Sequence, residues 1–435
     1  MKAPYRAWYI GIALLALAPA GARLLSWSGN RDMTVDPAVA EAGRTLFLHE
    51  WTPNDPLCAN GDGLGPVYNA NSCVACHSKG GIGGSGDREF NVTTFSVVPP
   101  FREAAPREGV VHKASTHAPE LLNQVDPSFP PVPPPPLAEL DQLTPRRAVG
   151  MAGCGPRPAE PVPLTGTHFS QRNTPPLFGV KLIEEIPDRV IIAGEKAQKL
   201  RWVMHPAGGL DKPIGRASRL PDGRIGRFGW KAQTATLSDF VQAACANELG
   251  LGNPGQAAAR PLYEPGYEPP GMDLTIEQCN QLTAFVASLP RPVERVPDDV
   301  TDQRVAMAGK KLFRSTGCAE CHTPDLGGVE GLYSDLLLHR MGSALSGGGG
   351  GYGDPRPSPS PTVPGSGPQL DEWRTPPLWG VAASAPYLHD GRANTLSDAI
   401  FAHDGQAKAS RERFAALTES ERRCIVVFLE TLRAP

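Results

Sequence analysis

Two stretches of the chain read Cys-x-x-Cys-His, one at 73–77 and the other at 318–322. This is the spacing at which a c-type haem is attached: each thiol adds to one vinyl group, and the next residue brings an imidazole beneath the iron. Cys73 and Cys76 with His77, and Cys318 and Cys321 with His322, are therefore the candidate attachment sites and proximal ligands. A structural zinc site would want a second Cys/His pair nearby, and a redox dithiol does not need the histidine. Two such motifs in corresponding contexts point to a chain folded around two covalently held haems.

The length, 435 residues, is enough for two or three domains with real cores. Lys+Arg 42 against Asp+Glu 45 leaves no basic surface of the kind nucleic acid requires. Gly 47 and Pro 47 are well above ordinary usage, which predicts long irregular loops between helices. The N-terminus has Lys2 and Arg6, an apolar run from Trp8 to Leu17, and then small residues to Ala22. That is the layout of a signal peptide over 1–22; the alternative is an uncleaved anchor ending near Trp27, which would tie the protein to a membrane. Export to the periplasm agrees with the haem motifs. It would also permit disulfides among the cysteines outside them: Cys58, Cys154, Cys245, Cys279 and Cys424.

The second motif belongs to a repeat of the whole order of segments. Ala42-Gly43 and Leu46-Phe47 precede the first, as Ala308-Gly309 and Leu312-Phe313 precede the second. Asn173-Thr174-Pro175-Pro176-Leu177 is answered by Arg374-Thr375-Pro376-Pro377-Leu378, and Thr236-Leu237-Ser238-Asp239 by Thr395-Leu396-Ser397-Asp398. Each half closes on a capping box, Thr275/Gln278 and Thr418/Glu421. Behind the caps run apolar stripes at helical spacing, Leu282/Phe285/Val286/Leu289 and Ile425/Phe428/Leu429/Leu432. The expected fold is all-α: two cytochrome c-like helical domains, 36–292 and 293–435, with long Pro/Gly-rich insertions. The junction falls in the Pro-rich stretch 290–297, and Asp36-Pro37 opens the first helix as cap and N1. The proline run 129–136 and the Gly-rich and Pro/Ser tracts 347–351 and 355–368 read as surface loops.

Function turns on the sixth ligands, because an iron with one protein ligand can bind a small molecule and an iron with two mostly passes electrons. His403 ends the helix that Thr395 starts, and the matching position in the first half is Ala244. The second haem is thus expected to be six-coordinate and the first open or weakly ligated. His339 and Met341 are rival ligands for the second; His112, His117, His168, His205 and Met204 could reach the first. Arg374, Arg392 and Arg172 are candidates to pair with haem propionates. Trp230 could stand between the haems as an electron relay, or be a core tryptophan.

Together these segments resemble the bacterial di-haem oxidoreductases that carry the label peroxidase or thiol oxidoreductase. The matching stretches are Gly63-Leu64-Gly65-Pro66-Val67-Tyr68-Asn69, Gly226-Arg227-Phe228-Gly229-Trp230-Lys231-Ala232-Gln233, Leu332-Tyr333-Ser334-Asp335-Leu336-Leu337-Leu338-His339 and Ala385-Pro386-Tyr387-Leu388-His389-Asp390-Gly391-Arg392, together with the two Thr-Pro-Pro-Leu segments. More distantly the chain is similar to dihaem cytochrome c peroxidases and to the enzyme that matures a tryptophan-derived cofactor. The resemblance implies a peroxide site at the first haem and electron entry at the second, from a small cytochrome c or cupredoxin. It places a distal ligand at His403 and a calcium ion on carbonyls at Ser384 and Pro386. Where the peroxidases carry a distal glutamate this chain has Ser238, with Asp239 next, so proton transfer would need Asp239 turned inward. The expected function is a periplasmic dihaem peroxidase; the alternatives are a pure electron carrier and an oxidant of a partner protein's side chains.

Overall fold

A computed structural model describes residues 35–98, 107–122, 166–204, 213–264, 266–347 and 367–435. The segment 1–22, the proline run 129–136, the tract 348–366, Cys154, His205 and the side chain of His168 lie outside the described residues.

The repeat seen in the sequence is a repeat of packing. Helix α1 (Pro37–Leu48) is capped by Asp36, whose Oδ1 accepts from the Ala38 amide at 2.9 Å, with Pro37 at its first position. After the motif turn α2 (Cys73–Cys76) come α3 (Val180–Glu185), α4 (Asp188–Met204), α5 (Leu237–Glu248) and α6 (Ile276–Ser288). The second half contributes α7 (Val300–Ser315), α8 (Leu396–Ala402), α9 (Lys408–Ala416) and α10 (Glu419–Glu430). In each half the opening helix lies on the closing one, α1 on α6 and α7 on α10. The glycines of the two Ala-Gly pairs sit at these crossings. A Cβ on Gly43 would fall 1.8 Å from the Gln281 carbonyl oxygen, and one on Gly309 1.9 Å from that of Cys424. Only glycine permits so close an approach.

One turn further along, Phe47 meets Phe285 at 5.0 Å and His77 at 6.2 Å, while Phe313 meets Phe428 at 5.4 Å and His322 at 6.4 Å. Each closing helix thus presses an aromatic pair against a motif histidine; truncating such a phenylalanine costs about 3–5 kcal/mol. The capping boxes form at both Thr275 and Thr418. The apolar stripes behind them are buried, although Leu289 and Leu432 fall just beyond their helices. The larger core spans the first half and takes in Leu332, Leu336, Leu337 and Trp379 from the second; a smaller core around Phe313, Phe414 and Ile425 belongs to the second half alone.

The all-α expectation needs correction. Within the first insertion, β1 (Val92–Val98) is the centre of an antiparallel sheet with β2 (Arg107–Val111) and β3 (Gly166–Arg172), Phe95 lying opposite Phe169. The run Val-Thr-Thr-Phe-Ser-Val-Val is rich in β-branched residues that suit a pleated surface, and it buries Phe95 completely. A second pair, β4 (Leu338–Arg340) with β5 (Glu372–Arg374), braces the other half. The fold is mainly helical with short antiparallel strands. Among the described residues no helix is long and apolar enough to cross a membrane.

Candidate functional site

Both motif histidines are set up alike. Ser72 caps α2, its Oγ accepting from the Ala75 amide, and His77 follows as the C-cap with Nδ1 donating to the Gly84 carbonyl at 3.0 Å. His322 Nδ1 donates to the Tyr333 carbonyl at 3.0 Å. A carbonyl can only accept, so each Nδ1 carries the proton and each Nε2 keeps its lone pair. Burial holds both imidazoles neutral, pulling each down to about 4. The neighbouring thiols are also neutral: burial pushes Cys73 and Cys76 up to about 12, and Cys318 upward as well.

Each motif opens on a cavity. The smaller, about 140 Å³, has Cys73, Cys76 and His77 on one side and Val241, Ala244, Cys245 and Glu248 of α5 on the other. The larger, about 270 Å³, has Cys318, Cys321 and His322 facing Leu396, Ala399, Ile400 and His403 of α8 and its cap. His403 is ordered as the proximal histidines are, with Nδ1 donating to the Ala399 carbonyl at 2.7 Å and burial lowering its affinity for protons. The repeat therefore aligns a ligand-ready histidine over one cavity with the methyl group of Ala244 over the other.

The donor sets fit haem, and a further observation agrees. Arg374 is 8% exposed, lines the larger cavity and makes no ion pair among the described residues; its Nε donates to the Gly229 carbonyl. Desolvation alone draws it down to about 10. A buried guanidinium without an anion is costly, and a propionate would supply that anion. Arg172 lines the smaller cavity and lies 4.5 Å from the Trp373 ring. Arg392 is placed differently. It lies on neither cavity and is held by Asp390 at 2.6 Å and by the Ala344 carbonyl.

The proton-transfer candidates also need correction. Asp239 points outward, 45% exposed, and accepts from Arg224 Nη1 at 2.8 Å. Ser238 lies off both cavities and accepts from Gln242 Nε2 at 2.9 Å. The helix phase decides this: the face of α5 toward the smaller cavity is Val241, Ala244, Cys245 and Glu248, and positions 238 and 239 fall to its side. Glu248, overlooked in the sequence, is the carboxylate on that face, fixed by Asn69 Nδ2 at 2.7 Å. The i+4 step from Ala244 could have revealed it. Trp230 lines both cavities, its Nε1 donating to the Asn173 carbonyl at 2.9 Å, so it stands in their common wall.

The rival ligands separate clearly. His112 is buried against the Asn247 carbonyl, His117 pairs with Glu264, and Met204 is exposed; none lines the smaller cavity. Met341 and His339 line the larger one, but both nitrogens of His339 are engaged, by Asp335 and Gln406, each at 2.9 Å. Burial alone would keep His339 neutral, yet the Asp335 carboxylate at 2.9 Å favours the protonated ring. Cys321, Asp335 and His339 are the one trio of potential metal donors among the described residues, with ligand atoms within 4.8 Å of one another. The calcium expectation gains no support: the Lys79 ammonium donates to the Ala385 carbonyl at 2.7 Å, between Ser384 and Pro386.

The family model described as "Di-haem oxidoreductase, putative peroxidase" matches residues 165–432, more than half of the chain. The protein belongs to this di-haem oxidoreductase family. The match includes the second motif and both distal helices, and the first motif precedes it. Among solved structures, the chain is similar to the diheme peroxidase BthA from Burkholderia thailandensis, at 16% identity over 91% of this chain and 86% of that one, TM-score 0.37. A MauG-like protein associated with microbial copper homeostasis matches at 18% identity over 50% of this chain and 74% of that one, TM-score 0.30. Hydrazine synthase of Kuenenia stuttgartiensis matches at 25% identity over 39% of this chain, TM-score 0.28, and the match spans 59% of that chain. No curated protein matches.

Proposed function

We propose that this di-haem oxidoreductase is an exported peroxidase with two covalently attached haems, the first meeting peroxide and the second receiving electrons. The observation that supports this reading is the unequal distal face, Ala244 over the first motif's cavity and His403 over the second's. A haem held by Cys73, Cys76 and His77, and another held by Cys318, Cys321, His322 and His403, would each supply one-electron chemistry. The protein's own groups would do the rest. His77 and His322 present Nε2 from fixed rings, and His403 closes the second site to small molecules. Reduction of one peroxide consumes two electrons and two protons and yields two waters, so a proton carrier is needed beside the first site. Glu248, on the distal face and held by Asn69, fills that role in place of Ser238 or Asp239. Trp230, in the wall common to both cavities, is the proposed relay between them. The donor would be a small exported cytochrome c or cupredoxin, and the segment 1–22 would direct the chain to the periplasm.

EPR of the purified protein, oxidised and half-reduced, tests the reading together with a peroxide assay. One high-spin and one low-spin ferric signal, with peroxide-dependent oxidation of reduced cytochrome c, support it. Two low-spin signals that persist on half-reduction, with no turnover, would leave an electron carrier.

A further inference from the structure

The segment Tyr333–His339, one of the stretches that carry the family resemblance, reaches groups on both sides of the second cavity. On the proximal side the Tyr333 carbonyl accepts from His322 Nδ1, and the Asp335 amide donates to the Cys321 carbonyl at 2.9 Å. Ser334 is fully buried and its Oγ donates to the Thr375 carbonyl at 2.6 Å. On the distal side His339 reaches Gln406, three residues beyond His403.

The polarity of this network follows from the backbone groups at its ends. The Ile214 carbonyl can only accept, so Gln406 turns Nε2 toward it, at 3.1 Å, and Oε1 toward His339 Nδ1. The Gly215 amide can only donate, so Gln198 turns Oε1 toward it, at 2.6 Å, and gives Nε2 to Asp335 Oδ2. His339 then meets an amide oxygen at Nδ1 and a carboxylate at Nε2. It must donate from both nitrogens and is an imidazolium, 2% exposed, paired with Asp335. The backbone makes room for it: a Cβ on Gly215 would lie 2.6 Å from the imidazole Cε1 of His339.

We propose that His339 is a positioning residue for the second centre, tying the loop that carries His403 to the same segment that fixes His322. One element thereby sets both axial histidines. This rests on the reading of His403 as sixth ligand and adds the device that holds it there. Hydrogen bonds from a charged donor are the stronger kind, so their loss should visibly loosen the distal loop.

The test uses the holoprotein. Gln406→Leu cuts the tie to the distal loop and leaves the Asp335–His339 pair whole; His339→Phe removes the centre of the network. Gln198→Leu cuts the same network on the side away from His403. Carbon monoxide binding to the reduced second centre and its ferric low-spin EPR signal are read in each variant. We expect the fraction of that centre open to carbon monoxide to rise on the order of tenfold in Gln406→Leu, with a new high-spin component, and Gln198→Leu to behave as the wild type. His339→Phe should resemble Gln406→Leu; if it fails to fold, Gln406→Leu decides. Equal changes in Gln406→Leu and Gln198→Leu would reduce His339 to general structural support and overturn the proposal. So would an unchanged Gln406→Leu beside a His403→Gly protein that has lost its low-spin signal. A His403→Gly protein that keeps that signal would remove the ligand reading itself, and this inference with it.

Discussion

The two cavities are built from one plan and finished differently. On the proximal side they are near copies: a glycine at a helix crossing, a phenylalanine pair, and a motif histidine whose Nδ1 is pinned to a carbonyl. On the distal side the copies part. The second has His403, steadied through Gln406 and His339; the first has Ala244, with the Glu248 carboxylate one helical turn on. What is shared is the setting of the motif histidine, and what differs is the residue that meets it across the cavity.

The most damaging test removes the attachment chemistry from one half at a time. Replacing Cys73 and Cys76 together with alanine, or Cys318 and Cys321, should each cost one porphyrin in denaturing mass spectrometry of exported protein. The first pair should abolish peroxide turnover and keep the low-spin signal; the second should do the reverse to the spectrum. Loss of both porphyrins from either variant would mean that the halves do not hold their haems independently.

Ala244→His copies the second distal face onto the first. If the comparison is right, the high-spin signal should be replaced by a second low-spin one and turnover should fall to background. A spectrum unchanged by Ala244→His would show that α5 does not face the iron. Less drastic is Glu248→Gln, which keeps the shape and removes the proton carrier. Peroxide turnover should fall by about 10²-fold or more while the resting EPR spectrum stays as it was. An unaffected rate would take Glu248 out of the mechanism.

These tests bear on how much could be read from the chain. The duplication, the caps at Asp36, Thr275 and Thr418 and the apolar stripes were legible because each is a local pattern of fixed spacing. The sheet around Val92–Val98 was not, because the Pro/Gly content of the insertion masked a short β-branched run inside it. The outward turn of Asp239 was hidden for a different reason. Correspondence with relatives points to position 238, whereas the helical stripe Leu237/Phe240/Val241/Ala244/Cys245/Glu248 forms the cavity face. Residue type alone likewise points to Arg392, whose partner is Asp390, two residues back. Nor did anything in the pattern announce that His339 would be occupied at both nitrogens.

The residue that follows Trp230 responds to pH in a calculable direction. Lys231 is 1% exposed, donates to the Gln369 and Leu370 carbonyls and lies 3.8 Å from the Trp373 ring, which itself stacks on His389. Burial first, and the nearby Arg172 charge second, lower it from 10.5 to about 6, outweighing the pull of the Glu372, Asp371 and Glu108 carboxylates. Between those values the unfolded chain binds the proton and the native one does not. Stability should therefore increase as pH rises through this window, by up to about 1.4 kcal/mol per pH unit from this residue. Lys231→Met should flatten that part of the melting-temperature profile between pH 6.5 and 9. A profile with the wild-type slope would mean that the lysine stays charged inside the wall.

The smallest expected effect is the most discriminating for the first cavity. Asp239 occupies the place beside the position where a peroxidase would keep its acid, and only its direction excludes it. It faces solvent and holds Arg224, an exposed pair that contributes less than about 1 kcal/mol to folding. Asp239→Asn should leave peroxide turnover and both EPR signals essentially unaltered, with a melting temperature close to that of the parent. An acid working on the substrate would instead cost about 10²–10⁴-fold in rate when neutralised. A loss of that size in Asp239→Asn, with Glu248→Gln fully active, would mean that α5 is rotated in the working protein, carrying Ala244 away from the iron and undoing the contrast with His403.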